Sequence, residues 1–184
     1  MPGAQEEDKG FLLRPLEQDD PFGSMQSGDQ RFAPLKQFVQ KRAKKYEQEN
    51  LARTYVIEDE ANNRIAAYVT LVCSEVVSKE KLLNEDGLDF PYDHYPAVKI
   101  ARLLVDARYR NPNPHGFGKY LVDLSLGIAR SEICPSVGCR FVVVDAKAES
   151  VKFYEKCGFT LVDTEANRAR TEPVMFIDLH KAAK

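Results

Sequence analysis

No stretch of the 184 residues runs apolar for anything near 18 positions, which excludes a membrane-spanning helix. The N-terminal MPGAQEEDKG is acidic and polar and does not read as a signal peptide, so a cytoplasmic location is expected. Glycine and proline number ten each, too few for a collagenous or low-complexity chain. A bulk excess of one charge is also missing: 26 Lys and Arg against 28 Asp and Glu leave a formal net charge of -2. Proteins that coat nucleic acid by bulk electrostatics carry a marked basic excess, so that class is excluded while specific contacts are not. The four cysteines (Cys73, Cys134, Cys139, Cys157) show no C-x-x-C spacing and the three histidines (His94, His115, His180) are scattered, so no zinc site is expected. Cys134 and Cys139 flank Pro135-Ser136-Val137-Gly138, a turn-like stretch. A small-loop disulfide there stands open against the reading of free thiols in or near the core.

There is enough apolar material for a sizeable core, since 43% of residues are hydrophobic and 29% charged. No internal repeat and no Pro-, Gly- or Ser-rich linker divides the chain, so one domain over 1–184 is expected, with residues 1–10 flexible. Charge is unevenly distributed: residues 1–94 hold 12 Lys and Arg against 18 Asp and Glu, whereas residues 95–184 hold 14 against 10. The acidic excess includes Glu80, Glu85, Asp86, Asp89 and Asp93 in one expected loop. That loop favours a cationic partner unless it is only a solvated face.

Residues 11–16 read as a first strand, followed by turns through Pro21, Gly23, Ser24 and Gly28. From Phe32 the apolar residues Leu35, Phe38, Val39, Ala43 and Tyr46 recur at helical spacing, with Lys36, Gln37, Gln40, Lys41, Lys44 and Lys45 on the other face. No acid stands between Arg31 and Lys45, so this helix offers a basic face to solvent, to RNA or to a phosphate. Segments 53–57 and 64–77 read as antiparallel strands joined by a hairpin-like turn. Residues 95–106 read as a strand whose near-continuous apolar core, 100–105, suits a central position. A short helix can form over 80–84, and helical spacing resumes over 116–133. Residues 141–144 read as a buried strand, 150–157 as a short helix, and 159–162 and 174–179 as the last strands. The order predicts an α/β fold with a mixed sheet.

The link from Val105-Asp106 through Asn113-Pro114-His115 to Gly116-Phe117-Gly118-Lys119 joins a central strand to a helix. Glycines at a helix start leave backbone N–H groups approachable by an anion, and the helix dipole adds to the field, an environment that suits a pyrophosphate. The segment is neither a Walker loop nor the complete dinucleotide fingerprint. Downstream, Val142-Val143-Val144-Asp145-Ala146-Lys147 leads into Ser150-Val151-Lys152-Phe153-Tyr154-Glu155-Lys156-Cys157-Gly158-Phe159. This is a strand, a short helix with a Phe-Tyr pair, a Gly C-cap and another strand. Together the two segments resemble the acetyl-CoA site of the GNAT N-acetyltransferases, over residues 53–179.

That resemblance implies a single GNAT-like domain with a mixed, mostly antiparallel central sheet flanked by helices, and acetyl-CoA as cosubstrate. Asn113, His115, Gly116, Phe117, Gly118 and Lys119 fall on the pyrophosphate loop and the helix start. Asn113 stands where the family has Gln or Arg, and Pro114 has no N–H to donate, so the amides of His115, Gly116, Phe117 and Gly118 are expected to carry the phosphates. Leu103, Leu104 and Val105 resemble the strand that pairs with the pantetheine and aims an amide at the thioester carbonyl. Tyr154 resembles the tyrosine that protonates the departing thiolate, a task suited to a phenol of pKa about 10 facing a thiol of about 8.5. Lys147 stands where many members have Asn and is given no catalytic role. No cysteine in either motif offers a nucleophile, so direct attack by the amine in a ternary complex is implied.

Residues 99–106 hold no Glu to act as base, which leaves Glu75 or a water chain and favours an α-amine, pKa about 7.7 to 8.0, over a lysine-type amine near about 10.4. The expected acceptor is a primary amine of a small molecule or protein. The alternative is the α-amine of aminoacyl-tRNA, because 31–45, 100–106 and 145–147 with Phe153-Tyr154 also look like the GNAT toxins that acetylate it. A further alternative, motivated by Pro114, is a non-catalytic acyl-CoA-binding protein. No membrane partner is expected, and exposed strands beside the last two β-segments are compatible with a homodimer.

Overall fold

A computed structural model describes residues 10–77, 90–110 and 115–181. Residues 1–9 of the expected flexible end, the stretch 78–89 with Glu80, Glu85, Asp86, Asp89 and the helix expected over 80–84, and residues 111–114 with Asn113 and Pro114 lie outside the described residues.

The first strand, β1 (Phe11–Pro15), pairs antiparallel with β2 (Arg53–Asp59), Phe11 opposite Asp59 and Pro15 opposite Tyr55. A proline, which has no N–H for a ladder, is tolerated at such an edge. A turn in which Asn63 takes φ +47 leads into β3 (Arg64–Val77), where residues 65–71 are buried without interruption. Asparagine tolerates this left-handed conformation better than most residues. After β4 (His94–Val105) come β5 (Phe141–Asp145), β6 (Thr160–Leu161) and β7 (Val174–Asp178). The seven strands form one sheet in the order β1-β2-β3-β4-β5-β7-β6. β5 pairs antiparallel with β7, and β7 with β6. β4 and β5 are parallel, in register from Ala97 opposite Phe141 to Lys99 opposite Val143.

The helix expected from Phe32 to Tyr46 is two, α1 (Ala33–Lys41) and α2 (Ala43–Gln48), separated at Arg42, whose φ is -128. Both sides of the bend are tied to the turn-rich segment: Gln40 Nε2 donates to the Phe22 carbonyl at 2.9 Å, and Lys44 Nζ to that of Asp20 at 3.2 Å. The apolar face survives the bend, with Phe38, Val39 and Ala43 buried.

α3 (Phe117–Ile128) begins within the span expected to be helical, 116–133, and gives way to a π-helical turn, Ala129–Ile133. The stretch read as a turn before Cys139 is mostly helical, α4 (Cys134–Val137), closed by Gly138 at φ +75. Pro135 sits in its first turn, where a missing N–H costs nothing. The open disulfide reading is settled there, because all four thiols are free and Cys134 Sγ donates to the Cys139 carbonyl at 2.8 Å. α5 (Val151–Lys156) matches the expected short helix. α6 (Glu165–Arg168), between β6 and β7, is additional; Thr164 caps it, its hydroxyl accepting from the Asn167 amide at 3.1 Å.

Two compact units divide the chain, Met1–Thr70 with Arg102–Gly118 and Leu71–Ala101 with Lys119–Lys184. The first packs Leu16, Phe22, Met25, Phe38, Tyr68 and Leu104 into its core, and the second Val76, Tyr95, Ala97, Phe141, Val143 and Val162. Burying one such side chain contributes about 1.5 to 3 kcal/mol. No helix among the described residues is long and apolar enough to cross a membrane.

Candidate active site

In the first unit the chain leaves β4 at Asp106, whose carboxylate is fully buried. It accepts from the amides of Gln26 at 2.8 Å and Arg108 at 2.9 Å, and from Arg108 Nη2 at 2.6 Å. Burial pushes this carboxyl up, but the Arg108 guanidinium and the amides outweigh it and hold its pKa below the usual value. The backbone amide of Asp106 donates to the Ala66 carbonyl at 2.8 Å. The end of β4 is thus fixed before the loop begins.

Tyr109 follows on a 3-10 turn, and its hydroxyl donates to Asp59 at 2.6 Å. Burial, with that carboxylate, pushes the phenol up to about 12. Its ring lies in an aromatic cluster with Phe11, His115 and Phe117: Phe11 is 4.8 Å from Phe117 edge-on, and His115 stacks on Phe117 at 5.1 Å. Such pairs add about 0.5 to 1.5 kcal/mol beyond area. Gly28 closes against this loop, with φ +74 and room for no Cβ, which would meet Ala107 Cβ and Arg110 Nη2 at 2.8 Å each.

These contacts aim the start of α3. Gly116 takes φ +71, a conformation glycine adopts without cost, and a Cβ there would meet nothing within 4 Å. Phe117 is buried, while Lys119 is exposed and pairs with Asp123 at 2.6 Å. The His115 amide, expected among the phosphate donors, points instead to the Tyr109 carbonyl at 3.4 Å. That leaves the amides of Gly116, Phe117, Gly118 and Lys119, at the end of a helix where intrahelical acceptors are missing. Leu103 is half-buried, and Leu104 and Val105 are buried.

In the second unit, Tyr154 on α5 is 6% exposed and lies between the rings of Phe153, 5.0 Å away, and Phe159, 5.3 Å away. Burial raises its phenol, so the hydroxyl stays protonated through neutral pH. Gly158 at φ +91 ends the helix, as its C-cap position requires. Cys157, one turn from Tyr154, feels the charges of Lys119 and Asp123 on α3. Burial raises the Cys157 thiol in spite of Lys119, which suits a packing residue rather than a nucleophile. Lys147 pairs with Glu172 at 2.9 Å, a structural role. The parallel pairing ends at Lys99 and Val143, and just beyond it Lys99 and Asp145 form an ion pair.

A cleft of about 520 Å3 opens beside that ion pair. Ser74 and Glu75 of β3, Lys99, Val143, Asp145, and Asn167 and Arg170 ahead of β7 line it. Of these, only Glu75 is marked by the sequence; Lys99, Asp145 and Arg170 are not, because no local spacing links strands β3, β4 and β5 with the β6–β7 connection.

The family model described as "Acetyltransferase (GNAT) family" matches residues 24–159. Glucosamine 6-phosphate N-acetyltransferase of Arabidopsis thaliana is 31% identical over 105 residues, a match that takes in 57% of this chain and only 56% of that protein. Among solved structures, AtaT complexed with acetyl-methionyl-tRNAfMet superposes with a TM-score of 0.78 at 18% identity, over 94% of this chain and 97% of that one. AtaTR bound with acetyl-CoA superposes with a TM-score of 0.75 at 19% identity, over 95% and 96%. Those two likenesses concern the fold, a mixed, mostly antiparallel sheet flanked by helices. With the family model covering most of its length, from the turns after β1 to the start of β6, the chain belongs to the GNAT family of acetyltransferases.

Proposed function

We propose that the protein, acting as a single catalytic domain, transfers an acetyl group from acetyl-CoA directly to a primary amine of a small molecule or protein. The observation that carries this reading is the buried, protonated Tyr154 on α5, next to Cys157, which feels the charges of Lys119 and Asp123 on α3. Acetyl-CoA supplies an activated thioester. The amides of Gly116, Phe117, Gly118 and Lys119 hold its pyrophosphate, with the helix dipole behind them. Residues 103–105 offer backbone groups along the pantetheine and a donor for the developing oxyanion. A neutral amine attacks the carbonyl carbon, the C–S bond breaks, and the Tyr154 hydroxyl gives its proton to sulfur. The surplus amine proton leaves to solvent or to a carboxylate such as Glu75. The cosubstrate fits what the chain presents, since Gly116 stands in open space at a positive φ and α3 begins immediately after it.

The test is Tyr154→Phe. Thiol release in the presence of amine acceptors should fall on the order of a hundredfold or more, with calorimetric affinity for acetyl-CoA unchanged. Equal turnover in the variant would remove the general acid from the mechanism.

A second reading, the α-amine of aminoacyl-tRNA as acceptor, draws on the basic face of α1 and α2, where Lys41, Arg42 and Lys45 are exposed. It also draws on the AtaT complex with acetyl-methionyl-tRNAfMet. Reversing those three charges should abolish salt-dependent tRNA binding and leave acetyl-CoA binding intact.

A further inference from the structure

We infer that the cleft beside Lys99 and Asp145 is the acceptor subsite, and that it takes a small amine that also carries an anionic group, a carboxylate or a phosphate. This rests on the acetyltransferase reading and names its substrate class. Three observations carry it. The first is size: about 520 Å3 suits a small molecule and falls in the range of small-ligand pockets.

The second is a polarised rim over an apolar floor. Val76, Val143, Val162 and Val174 supply apolar walls. On one side Asp145 is shared by two cations, paired with Lys99 and 3.9 Å from Arg170 Nη2, which leaves a surplus positive charge there. Arg170 is held in place by its Nε, which donates to the Glu172 carbonyl at 3.1 Å. On the other side stands the exposed carboxylate of Glu75, 2.9 Å from His94 Nδ1. An amine at Glu75 with an anion at Lys99 and Arg170 matches the sign of each pole.

The third is a wall that is already rigid. Asn167 is buried, and its side chain donates to the carbonyls of Val162 and Val174, each at 2.9 Å, and accepts from the Val174 amide at 2.8 Å. The cleft therefore does not need a ligand to shape it. The strand that contributes Asp145 leads, nine residues on, to Tyr154.

The experiment compares glucosamine 6-phosphate, γ-aminobutyrate and glucosamine as probes, by calorimetry without acetyl-CoA and by thiol release with it. The phosphate or the carboxylate probe should bind and turn over with a KM at least tenfold below that of glucosamine, and the better of the two identifies the anion. Arg170→Ala should raise that KM about tenfold, while the KM for acetyl-CoA stays unchanged. Glu75→Gln should weaken both charged probes in the same way. Equal KM for glucosamine and the charged probes, or no effect of Arg170→Ala, overturns the subsite while leaving acetyl transfer standing. Probe binding that Arg170→Ala abolishes, without thiol release from any amine, keeps the subsite and overturns the catalytic reading. Acetylation of aminoacyl-tRNA with no binding of the probes overturns the subsite as well.

Discussion

At the residue scale, one buried carboxylate holds the end of β4. Asp106 accepts from two backbone amides and from both Nε and Nη2 of Arg108, so its loss leaves four donors without that acceptor. Asp106→Ala should lower stability by about 3 kcal/mol, read as a reduced urea midpoint. Because the same carboxylate fixes the loop that leads to α3, affinity for acetyl-CoA should fall in parallel. An unchanged midpoint would show that Gln26 and Arg108 find other partners. The Tyr109 hydroxyl on Asp59 is a second tie of this kind in the same loop.

At the scale of elements, the connection between β6 and β7 depends on one side chain. Asn167→Ala removes three hydrogen bonds of a buried side chain and should cost about 2 to 3 kcal/mol, with faster hydrogen exchange at the Val174 amide. Retention of the parent exchange rate there would assign the rigidity to the strand ladder instead. This connection was also where the sequence was least readable. The strands announced themselves, since 65–71 and 141–144 are apolar runs with β-branched residues and the structure buries both. The helix start after Gly116 and the short helix with Phe153 and Tyr154 were legible because both are local patterns. α6 has no apolar stripe and owes its position to a Thr164 cap and to the Asn167 side chain on the Val162 and Val174 carbonyls, polar ties that hydrophobic spacing does not encode. The bend at Arg42 escaped for a similar reason, because periodicity continues across it while the side-chain ties flanking it lead to residues about twenty positions away. The charged cleft is assembled from β3, β4, β5 and the segment after α6, and only the folded sheet brings those residues together.

At the scale of the whole molecule, stability should follow its buried carboxylates. For Asp59, Asp106 and Asp178, burial raises the carboxyl, but hydrogen bonds, from Tyr109, Arg108 and Arg140 first among them, prevail and hold each below 3.8. A carboxyl whose pKa is depressed by folding contributes fully above its unfolded value, about 3.9, and loses that contribution as pH falls through the folded value. The protein should therefore hold a flat denaturation midpoint from neutrality down to about pH 4 and lose stability steeply below it, as followed by circular dichroism. A midpoint that declined evenly from pH 7 would assign acid sensitivity to other groups. The thiols divide along equally simple lines. Burial pushes Cys139 up to about 11 and raises Cys157, and Cys134 is half-covered with its sulfur on a carbonyl, while Cys73 stands exposed on β3. A maleimide fluorophore at neutral pH will accordingly settle on one strand, two residues from Glu75, so the chain carries a built-in attachment point for an optical reporter at the edge of its charged cleft.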